Sequence, residues 1–394
     1  MTIISNKVHY VGTNDRKKHL FENNWPLPYG VSYNTYLIAD EHPALVDTLE
    51  YGSDNDYLKR IDNILEGRPL EYLIINHLEP DHSSMIGEIL RAYPQVIVVG
   101  NCTTFKLLEN YYSVPAEQKL EVMDGSTLNL GHHVLTFAWV PWVHWPETMV
   151  TYDTTDKILF SCDAFGGFGS LGGGIFDDQI DFDRNYLTEM RRYYSNIVGK
   201  WSDKVQLAFK KLAGLEIKII CPSHGPIWRE NPAKVLDLYN KWSTHQAEKG
   251  VVIIYASMYG NTEKMADAIG RALAEEGIKN IRTFDVSTTH VSYLINEIWE
   301  YSGLILGTCA YNGQMHPMMH HLVHEISVAN PQNKTIALFG SSSWNAAGVR
   351  TLKKSLTDIK QPFLENALEI SGVTTDEKLA GVKEFAKAFA EALK

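Results

Sequence analysis

The 394-residue chain has few cysteines, no long apolar run and no excess of basic residues. Its four cysteines form no Cys-x-x-Cys pair, which excludes a disulfide framework and a four-cysteine iron or zinc module. A formal net charge of −11 argues against non-specific nucleic-acid binding. No segment has the apolar length of a membrane span, and residues 1–21 lack a signal-peptide core. We therefore expect a cytoplasmic protein with no nucleic-acid partner and no membrane partner.

The composition is that of a soluble globular protein, with 44% hydrophobic and 21% charged residues. A chain of this length exceeds a usual single domain, so two domains are expected. The polar segment Thr244–Gly250 has the composition of a linker. We predict one domain over residues 1–249 and a second over residues 250–394.

The densest group of metal-binding side chains is His-Leu-Glu-Pro-Asp-His, residues 77–82, which follows the apolar run Leu73–Ile75. That run predicts a short buried strand. If the strand geometry continues, alternation places His77, Glu79 and Asp81 on one face. A turn after the proline would bring His82 to a second position. The segment therefore predicts a site for two metal ions.

Three further candidate ligands lie at predicted strand ends: His144, Asp163 and His224. Taken singly, each is more typical of a buried histidine or a turn aspartate. Taken together they complete a set of seven ligands on four loops. Asp47, at the end of another predicted strand, is either a surface-turn carboxylate or a group that orients a ligating imidazole.

The chemistry of this set favours particular metals. Four imidazoles and three carboxylates, with no cysteine, form a nitrogen and oxygen site for two divalent or trivalent ions. A carboxylate such as Asp163 can bridge both ions. Zinc is allowed, but iron fits better.

The order His-x-Glu-x-Asp-His, followed by distant His, Asp and His, resembles the metallo-β-lactamase fold, an αββα sandwich. Glu79 stands where hydrolases of that fold commonly have histidine, and in this the chain resembles the flavodiiron proteins. The resemblance implies one iron held by His77, Glu79 and His144. It implies a second iron held by Asp81, His82 and His224, with Asp163 bridging the two.

The second half begins with the strand Val-Val-Ile-Ile-Tyr-Ala-Ser, which runs into Met-Tyr-Gly-Asn-Thr and a helix. Hydroxyl and amide donors at a helix N-terminus favour one phosphate group, although a plain Ser-Thr turn is the alternative. The lysine of a Walker loop and the Gly-x-Gly-x-x-Gly fingerprint are both missing, which disfavours ATP and NAD. Alternating strands and helices downstream predict a doubly wound parallel sheet.

This half resembles the short-chain flavodoxins, which implies FMN held by three loops. Cys309-Ala310 stands where many relatives have Pro-Thr. The phosphate loop would contribute Ser257, Met258, Gly260, Asn261 and Thr262. The loops along the two edges of the flavin ring would contribute Thr308, Cys309, Ala310, Tyr311, Asn312 and Gly313, and Ser341, Ser342, Ser343 and Trp344.

A histidine stripe formed by His316, His320, His321 and His324 lies within the second half. Histidines four residues apart on a helix can bind transition metals. No cysteine and no carboxylate except Glu325 has a matching spacing, so we favour an exposed or interface stripe over a third metal.

The resemblance implies a flavodiiron oxidoreductase that reduces dioxygen to water and/or nitric oxide to nitrous oxide, with two irons and FMN as cofactors. The chain ends without the cysteine pairs of a rubredoxin, so the expected donor is a separate rubredoxin or reduced coenzyme F420. We expect a head-to-tail homodimer, or a dimer of such dimers. The alternative is a zinc hydrolase fused to an FMN module, which Glu79 argues against. A flavodoxin-like carrier with an inactive first domain would require missing ligands, and none is missing.

Overall fold

The computed structural model describes residues 2–393, and the chain divides into two compact units, Met1–Thr244 and His245–Lys394. The sequence predicts a boundary after residue 249, five residues later. The first strand of the second unit, Glu248–Ala256, begins inside the polar segment expected to be a linker. Among residues 2–393, no helix combines the length and the apolar character needed to cross a membrane.

The first unit is built on two β-sheets. Its strands are β1 (Thr2–Ser5), β2 (Val8–Tyr10), β3 (Thr13–Asp15), β4 (Leu20–Phe21), β5 (Trp25–Pro26), β6 (Val31–Tyr33), β7 (Tyr36–Ile38), β8 (Ala44–Val46), β9 (Tyr72–Ile74), β10 (Ile97–Gly100), β11 (Lys119–Glu121), β12 (Thr127–Asn129), β13 (Val134–Trp139), β14 (Met149–Asp153), β15 (Ile158–Cys162) and β16 (Ile219–Pro222). One sheet has the order β1-β2-β7-β8-β9-β10-β11, and the other has the order β12-β13-β14-β15-β16. The pairs β3-β6 and β4-β5 form two small additional sheets.

The two large sheets pack face to face. A single apolar cluster joins Val46 and Ile74 of the first sheet to Phe137 and Phe160 of the second, and all four side chains are buried. Inward-facing side chains of two stacked sheets form such a core in a sandwich. Burying a side chain of this size fully contributes about 1.5–3 kcal/mol.

Helices complete the first unit. They are α1 (Tyr57–Leu65), α2 (Pro80–Ser83), α3 (Ile86–Ala92), α4 (Cys102–Leu108), α5 (Phe182–Asn185), α6 (Leu187–Tyr193), α7 (Ser202–Leu212) and α8 (Pro232–Ser243). Short 3₁₀ turns occur at Ala116–Gln118, Asp177–Gln179 and Gly199–Trp201, and a π-helical turn spans Tyr194–Val198. This arrangement confirms the predicted sandwich.

Several local predictions are confirmed and one is wrong. The apolar pattern of residues 57–65 predicts a helix and the alternation over residues 33–48 predicts two antiparallel strands, and the helix α1 and the antiparallel pair β7-β8 are present. The strand alternation expected through residue 81 is absent, because β9 ends at Ile74 and a helical turn begins at Pro80. Proline suits the first position of a helix, since its fixed φ and missing N–H cost nothing there. Asp81 and His82 therefore lie on helix α2 rather than on an extended strand.

The second unit is a single main sheet flanked by helices. Its strands are β17 (Glu248–Ala256), β18 (Ile281–Asp285), β19 (Tyr301–Tyr311), β20 (Gln314–Met315), β21 (Thr335–Ser342) and β22 (Leu368–Ser371). Its helices are α9 (Asn261–Glu275), α10 (Val291–Glu300), α11 (Pro317–Ala329), α12 (Ala347–Asp358) and α13 (Val382–Ala392), with a 3₁₀ turn at Lys378–Gly381. The order β18-β17-β19-β21-β22, parallel at every pairing, confirms the predicted doubly wound sheet.

One predicted loop of this unit is instead a hairpin. Strand β19 continues to Tyr311 and turns back into β20, which pairs with it antiparallel. Asn312 and Gly313 form the turn, with φ values of 45° and 76°. Asn-Gly is the preferred sequence for a two-residue turn in which both residues have positive φ.

Candidate metal centre and flavin site

The seven predicted ligands converge in two buried groups, because their loops leave neighbouring strands. Strands β15 and β16 pair in parallel, so Asp163 and His224, which follow them, lie at one edge of the sheet. The metal-binding atoms within each group lie within 4.8 Å of one another. The first group contains His77, Glu79, His144 and Asp163, and the second contains Asp81, His82 and His224.

Asp163 faces both groups at once. Its Oδ2 lies 3.2 Å from Nε2 of His144 and 3.5 Å from Nε2 of His77. Its Oδ1 lies 2.8 Å from Nε2 of His82 and 3.5 Å from Nε2 of His224. One carboxylate thus offers a separate oxygen to each group, which is the arrangement that a bridging ligand requires.

The centre has the chemistry of a cation site. Nε2 of His77, His82 and His224 and both carboxylate oxygens of Asp81 and Asp163 are buried without a hydrogen-bond partner of acceptable geometry among the described residues. Buried polar atoms are normally satisfied, so a cluster of unsatisfied ligand atoms indicates a missing partner. Nitrogen and oxygen donors in this number fit two divalent or trivalent ions.

Two imidazoles are oriented by groups that the sequence analysis did not identify. Nδ1 of His77 lies 2.7 Å from Oε1 of Glu147, and both side chains are fully buried. Nδ1 of His224 lies 2.7 Å from the carbonyl oxygen of Ser32. Each contact fixes the ring and leaves Nε2 for the metal. No local signal identifies Glu147, because the ring that it orients is His77, 70 residues away along the chain, and not the neighbouring His144.

Asp47 does not have the role considered for it. Its carboxylate accepts hydrogen bonds from the backbone N–H of Asn76, at 2.8 Å, and from the side-chain amide of Asn76, at 3.2 Å. It therefore fixes the loop before His77 rather than an imidazole. Burial raises the pKa of Asp47 to about 6, although the nearby His82 opposes the rise.

The electrostatics of the centre favour positive charge. Burial disfavours the imidazolium of His77, but the hydrogen bond with Glu147 and the nearby carboxylate of Glu79 outweigh it and raise the pKa of His77 to about 10. For His82, burial is likewise outweighed by the charges of Asp81 and Asp163, which raise its pKa to about 9. Without metal, protons occupy the positions of the cations.

The sulfur of Cys162 lies within 4.8 Å of a metal-binding atom of His82 and of one of Asp163, although the sequence predicts no cysteine ligand. Burial and the charge of Asp163 raise the pKa of its thiol well above the usual value. A thiol must lose its proton to bind a metal. Cys162 forms a group only with His82 and Asp163, which already belong to the two groups of nitrogen and oxygen ligands.

Tyr193 is a further residue at the centre that carried no sequence signal. Its ring centroid lies 5.7 Å from that of His224, and its buried hydroxyl has no hydrogen-bond partner among the described residues. Burial and the charge of Asp163 raise its pKa well above the usual value, so the hydroxyl keeps its proton. Tyr193 immediately precedes the π-helical turn, a distortion often found at functional sites.

In the second unit, most of the predicted flavin residues line one cleft at the carboxyl edge of the sheet. The lining residues are Ser257, Met258, Tyr259, Asn261, Thr262, Cys309, Ala310, Ser341, Ser342, Ser343 and Gly372. Tyr259 and Gly372 were not predicted. Gly372 belongs to the loop after β22, the last strand of the sheet, which the sequence analysis did not identify.

The loop predicted to bind phosphate forms a tight turn directly before helix α9. The hydroxyl of Ser257 accepts a hydrogen bond from the N–H of Gly260, at 3.0 Å. Gly260 has a φ of 84°, a backbone conformation that residues with a side chain rarely adopt. Helix α9 begins at the next residue. The hydroxyls of Thr262 and Ser341 lie 2.8 Å apart and join two of the loops. Free N–H groups at a helix N-terminus suit a phosphate.

Other predicted flavin residues lie outside the cleft. Thr308 is buried, and its hydroxyl contacts the carbonyl of Cys309 and the N–H of His316. Tyr311 and Asn312 line a separate surface pocket, because the hairpin carries them past the strand end. Gly313 forms the turn of the same hairpin. Trp344, 90% exposed, is free to stack on a ring at the edge of the cleft.

The histidine stripe lies at the surface. His320, His321 and His324 are exposed on α11 and line the same surface pocket, and His316 accepts a hydrogen bond from the N–H of Met318. Among residues 2–393, these histidines belong to no group of three or more ligands with atoms within 4.8 Å. This agrees with an exposed stripe.

Comparisons with known protein families match both units. Residues 31–225 match the family described as ODP family beta lactamase. Residues 253–385 match the flavodoxin family, whose fold binds FMN. The two matches follow the order of the two units along the chain.

Relatives extend over nearly the whole chain. The anaerobic nitric oxide reductase flavorubredoxin of Escherichia coli O1:K1 is 30% identical over 361 residues, covering 90% of this chain and 75% of that protein. The structure of rubredoxin oxygen:oxidoreductase from Desulfovibrio gigas superposes with a TM-score of 0.94 at 28% identity, covering 100% of this chain and 98% of the other. A variant of the flavo di-iron protein from Thermotoga maritima gives a TM-score of 0.91 at 28% identity, covering 100% and 98%. The chain therefore belongs to the flavodiiron protein family, oxidoreductases that join a metallo-β-lactamase-like domain to a flavodoxin-like domain.

Proposed function

We propose that this protein reduces dioxygen to water and/or nitric oxide to nitrous oxide at a di-iron centre supplied with electrons by FMN. The observation that carries the proposal is Asp163, whose two oxygens face two separate ligand groups. The names of two relatives support it, since one is a nitric oxide reductase and the other an oxygen oxidoreductase.

In this proposal, one iron would be held by His77, Glu79 and His144. The other iron would be held by Asp81, His82 and His224, and Asp163 would bridge the two irons. The carboxylate of Glu79, with its Oε2 at 3.0 Å from Nε2 of His144, adds a hard anionic ligand that favours iron over zinc. The hydrolase alternative is not favoured, because the Escherichia coli and Desulfovibrio gigas relatives are redox proteins.

When bound, the two irons would supply two electrons together and FMN would replenish them: converting two nitric oxide molecules to nitrous oxide and water consumes two electrons and two protons, and converting dioxygen to two waters consumes four of each. The chain contributes the rest. Glu147 and Ser32 hold the rings of His77 and His224 in fixed orientations. The hydroxyl of Tyr193, protonated and without a partner among the described residues, is positioned to donate a hydrogen bond to a molecule in the centre.

For FMN, we propose that the loop from Ser257 to Thr262 binds the phosphate and that two further loops border the flavin ring. The proposed contacts are Ser257, Met258, Gly260, Asn261, Thr262, Thr308, Cys309, Ala310, Tyr311, Asn312, Gly313, Ser341, Ser342, Ser343 and Trp344. The cleft supports most of this set, whereas Thr308 and the hairpin residues have the weakest support from the geometry.

The electron donor and the assembly are also proposals. A rubredoxin is the proposed donor, supported by the name of the Desulfovibrio gigas relative, with reduced coenzyme F420 as the alternative. We propose a cytoplasmic homodimer, or a dimer of such dimers, in which the flavin of one chain serves the irons of the other. Exchange between an Asp163→Ala chain and a chain altered at both Gly260 and Thr262, so that it holds no FMN, tests this. Random exchange should restore roughly a quarter of the activity, and heterodimers without activity would exclude transfer between chains.

In the central experiment, the protein is loaded with iron and FMN and fully reduced under anaerobic conditions. It is then mixed with dioxygen and, in parallel, with nitric oxide. We expect consumption of at least one gas, with water or nitrous oxide as product. Metal analysis of protein grown with both iron and zinc supplied should find iron. Stoichiometric zinc and no gas consumption would contradict the proposal and support the hydrolase.

A further inference from the structure

An apolar cavity of about 330 Å³ lies in the first unit beside the metal centre. Strands of the second sheet form one wall, and helices α7 and α8 form the other. Every lining residue other than Gly214 and Tyr239 carries an aliphatic or phenylalanine side chain. A cavity of this character does not hold water well, but it can bind small apolar molecules such as xenon.

The inner wall of the cavity adjoins two ligand loops. Val143 lines it and immediately precedes His144. Ala164 and Phe165 line it and immediately follow Asp163. Consecutive Cα atoms are about 3.8 Å apart. The wall therefore lies one residue away from ligands on two different loops, one of which carries the carboxylate that faces both groups.

The outer end of the cavity reaches the surface. Leu215, which also lines it, is 39% exposed and follows helix α7. Within the metal centre, the side chains of Glu79 and Asp81 are each 9% exposed, while those of His77 and Asp163 are fully buried.

We propose that this cavity takes up the dissolved diatomic gas and delivers it to the metal centre past Val143, Ala164 and Phe165. The inference rests on the proposed function, because it concerns the access route of that substrate. Dioxygen and nitric oxide are small and weakly hydrated, so an apolar cavity raises their local concentration relative to water. The apolar lining suits a diatomic molecule and offers no charged group to hold a polar substrate.

The first test is xenon binding to the full-length protein, which does not depend on activity. Crystals pressurised with xenon, or xenon titration followed by NMR, should show an occupied site among Leu159, Phe165 and Ala208. The absence of xenon from this cavity would overturn the proposal even if the protein reduces dioxygen or nitric oxide.

The second test fills the cavity. Ala208→Phe adds a ring inside it, and Leu207→Phe is the matched control because Leu207 is the neighbouring residue of α7, is 54% exposed and does not line the cavity. Stopped-flow mixing of the reduced holoprotein with gas at low concentration measures the second-order rate constant. We expect it to fall by roughly tenfold in Ala208→Phe and to stay unchanged in Leu207→Phe. The rate at saturating gas should stay the same in both variants.

Iron content, FMN content and thermal unfolding identify a variant that is merely misfolded. If Ala208→Phe loses iron, the smaller Ala208→Val replaces it and should give a smaller decrease in the same rate constant. If Ala208→Phe fills the cavity and the second-order rate constant for the gas stays unchanged, the proposed route is wrong. If the wild-type protein consumes neither gas, the proposed function fails instead, and the xenon result still reports on the cavity.

Discussion

Nδ1 of His77 and Oε1 of Glu147 lie 2.7 Å apart in the core, although 70 residues separate them along the chain. The same oxygen accepts the backbone N–H of Leu78 at 2.9 Å. Glu147 thus fixes both the ring of one ligand and the loop that carries it. Neither group reaches solvent, so no water can replace the contact.

Glu147→Gln should weaken metal binding without abolishing folding. The amide keeps the size of the side chain but removes the charge that holds the His77 tautomer, and loss of such a partner typically lowers metal affinity by about 10–100-fold. Competition with a chelator measures the affinity. Glu109→Gln is the control, because the Glu109 side chain is 65% exposed and contacts Lys119 away from the centre. Equal metal retention in both variants would show that Glu147 does not support His77.

Asp163→Asn should release both metals rather than one. The substitution removes the negative charge on which both ligand groups converge. Asp81→Asn, by contrast, should chiefly empty the second group, because Asp81 contacts His82 and His224 only among the ligands. Metal-to-protein ratios from elemental analysis distinguish the two patterns. Retention of two metals per chain in Asp163→Asn would exclude a bridging role.

Metal binding should release protons even in mildly alkaline solution. In the metal-free protein the raised pKa values of His77, about 10, and His82, about 9, keep both rings protonated at about pH 8. The protons on Nε2 must leave when the metal binds, so affinity should increase as the pH rises toward these values. Calorimetry in two buffers of different ionisation enthalpy measures the number released. Heats that do not depend on the buffer would contradict this prediction.

The same pKa shifts make the stability of the metal-free protein depend on pH. A raised pKa in the folded state contributes stability that is fully present below the unfolded value, about 6.5 for histidine, and is lost as the pH rises through the folded value. The part of the free energy of unfolding that the raised pKa values of His77 and His82 contribute should therefore disappear between about pH 6.5 and pH 10. Denaturant unfolding of the metal-free protein across this range measures the loss, and a free energy of unfolding that stays constant would contradict the two raised pKa values.

Gly260→Val should lower FMN affinity, whereas Gly260→Asn should largely preserve it. The nearest atom to the position that a Cβ would occupy is 3.8 Å away, so space is not the constraint. The constraint is the φ of 84°, which costs most L-residues about 1–2 kcal/mol but which asparagine tolerates. Recovery of flavin fluorescence on dilution measures FMN release. Equal affinity in both variants would show that this backbone conformation is not needed for FMN.

Sequence reasoning reached the seven candidate ligands because each lies in a loop or turn that follows a strong apolar run. Asp163 directly follows β15, and His224 comes two residues after the end of β16. Such positions have local signatures. The same reasoning placed Asp81 on a strand, because the alternating pattern of residues 77–82 outweighed the helix-start signal of Pro80.

The supporting residues could not be found in this way, because their roles depend on contacts between distant parts of the chain. Tyr193 lies in a helical run that gives no hint of its neighbours, and Ser32 acts through its backbone carbonyl, which any residue would provide. The predicted loop at residues 311–313 differs from the structure for another reason. The family pattern implied a loop at Tyr311–Gly313, while the local Asn-Gly signal pointed to the hairpin that is present.

The contact between Ser32 and His224 spans 192 residues, and the amide of Asn34 holds the same distant loop through the carbonyls of Pro222 and Gly225. These contacts impose an order on biosynthesis. The ligand set is incomplete until residue 224 has left the ribosome, but it then requires nothing from the flavodoxin-like half, because all seven ligands precede residue 245. A stalled nascent chain whose residues up to 250 have emerged from the exit tunnel should bind metal. A chain whose residues have emerged only up to 215 should not.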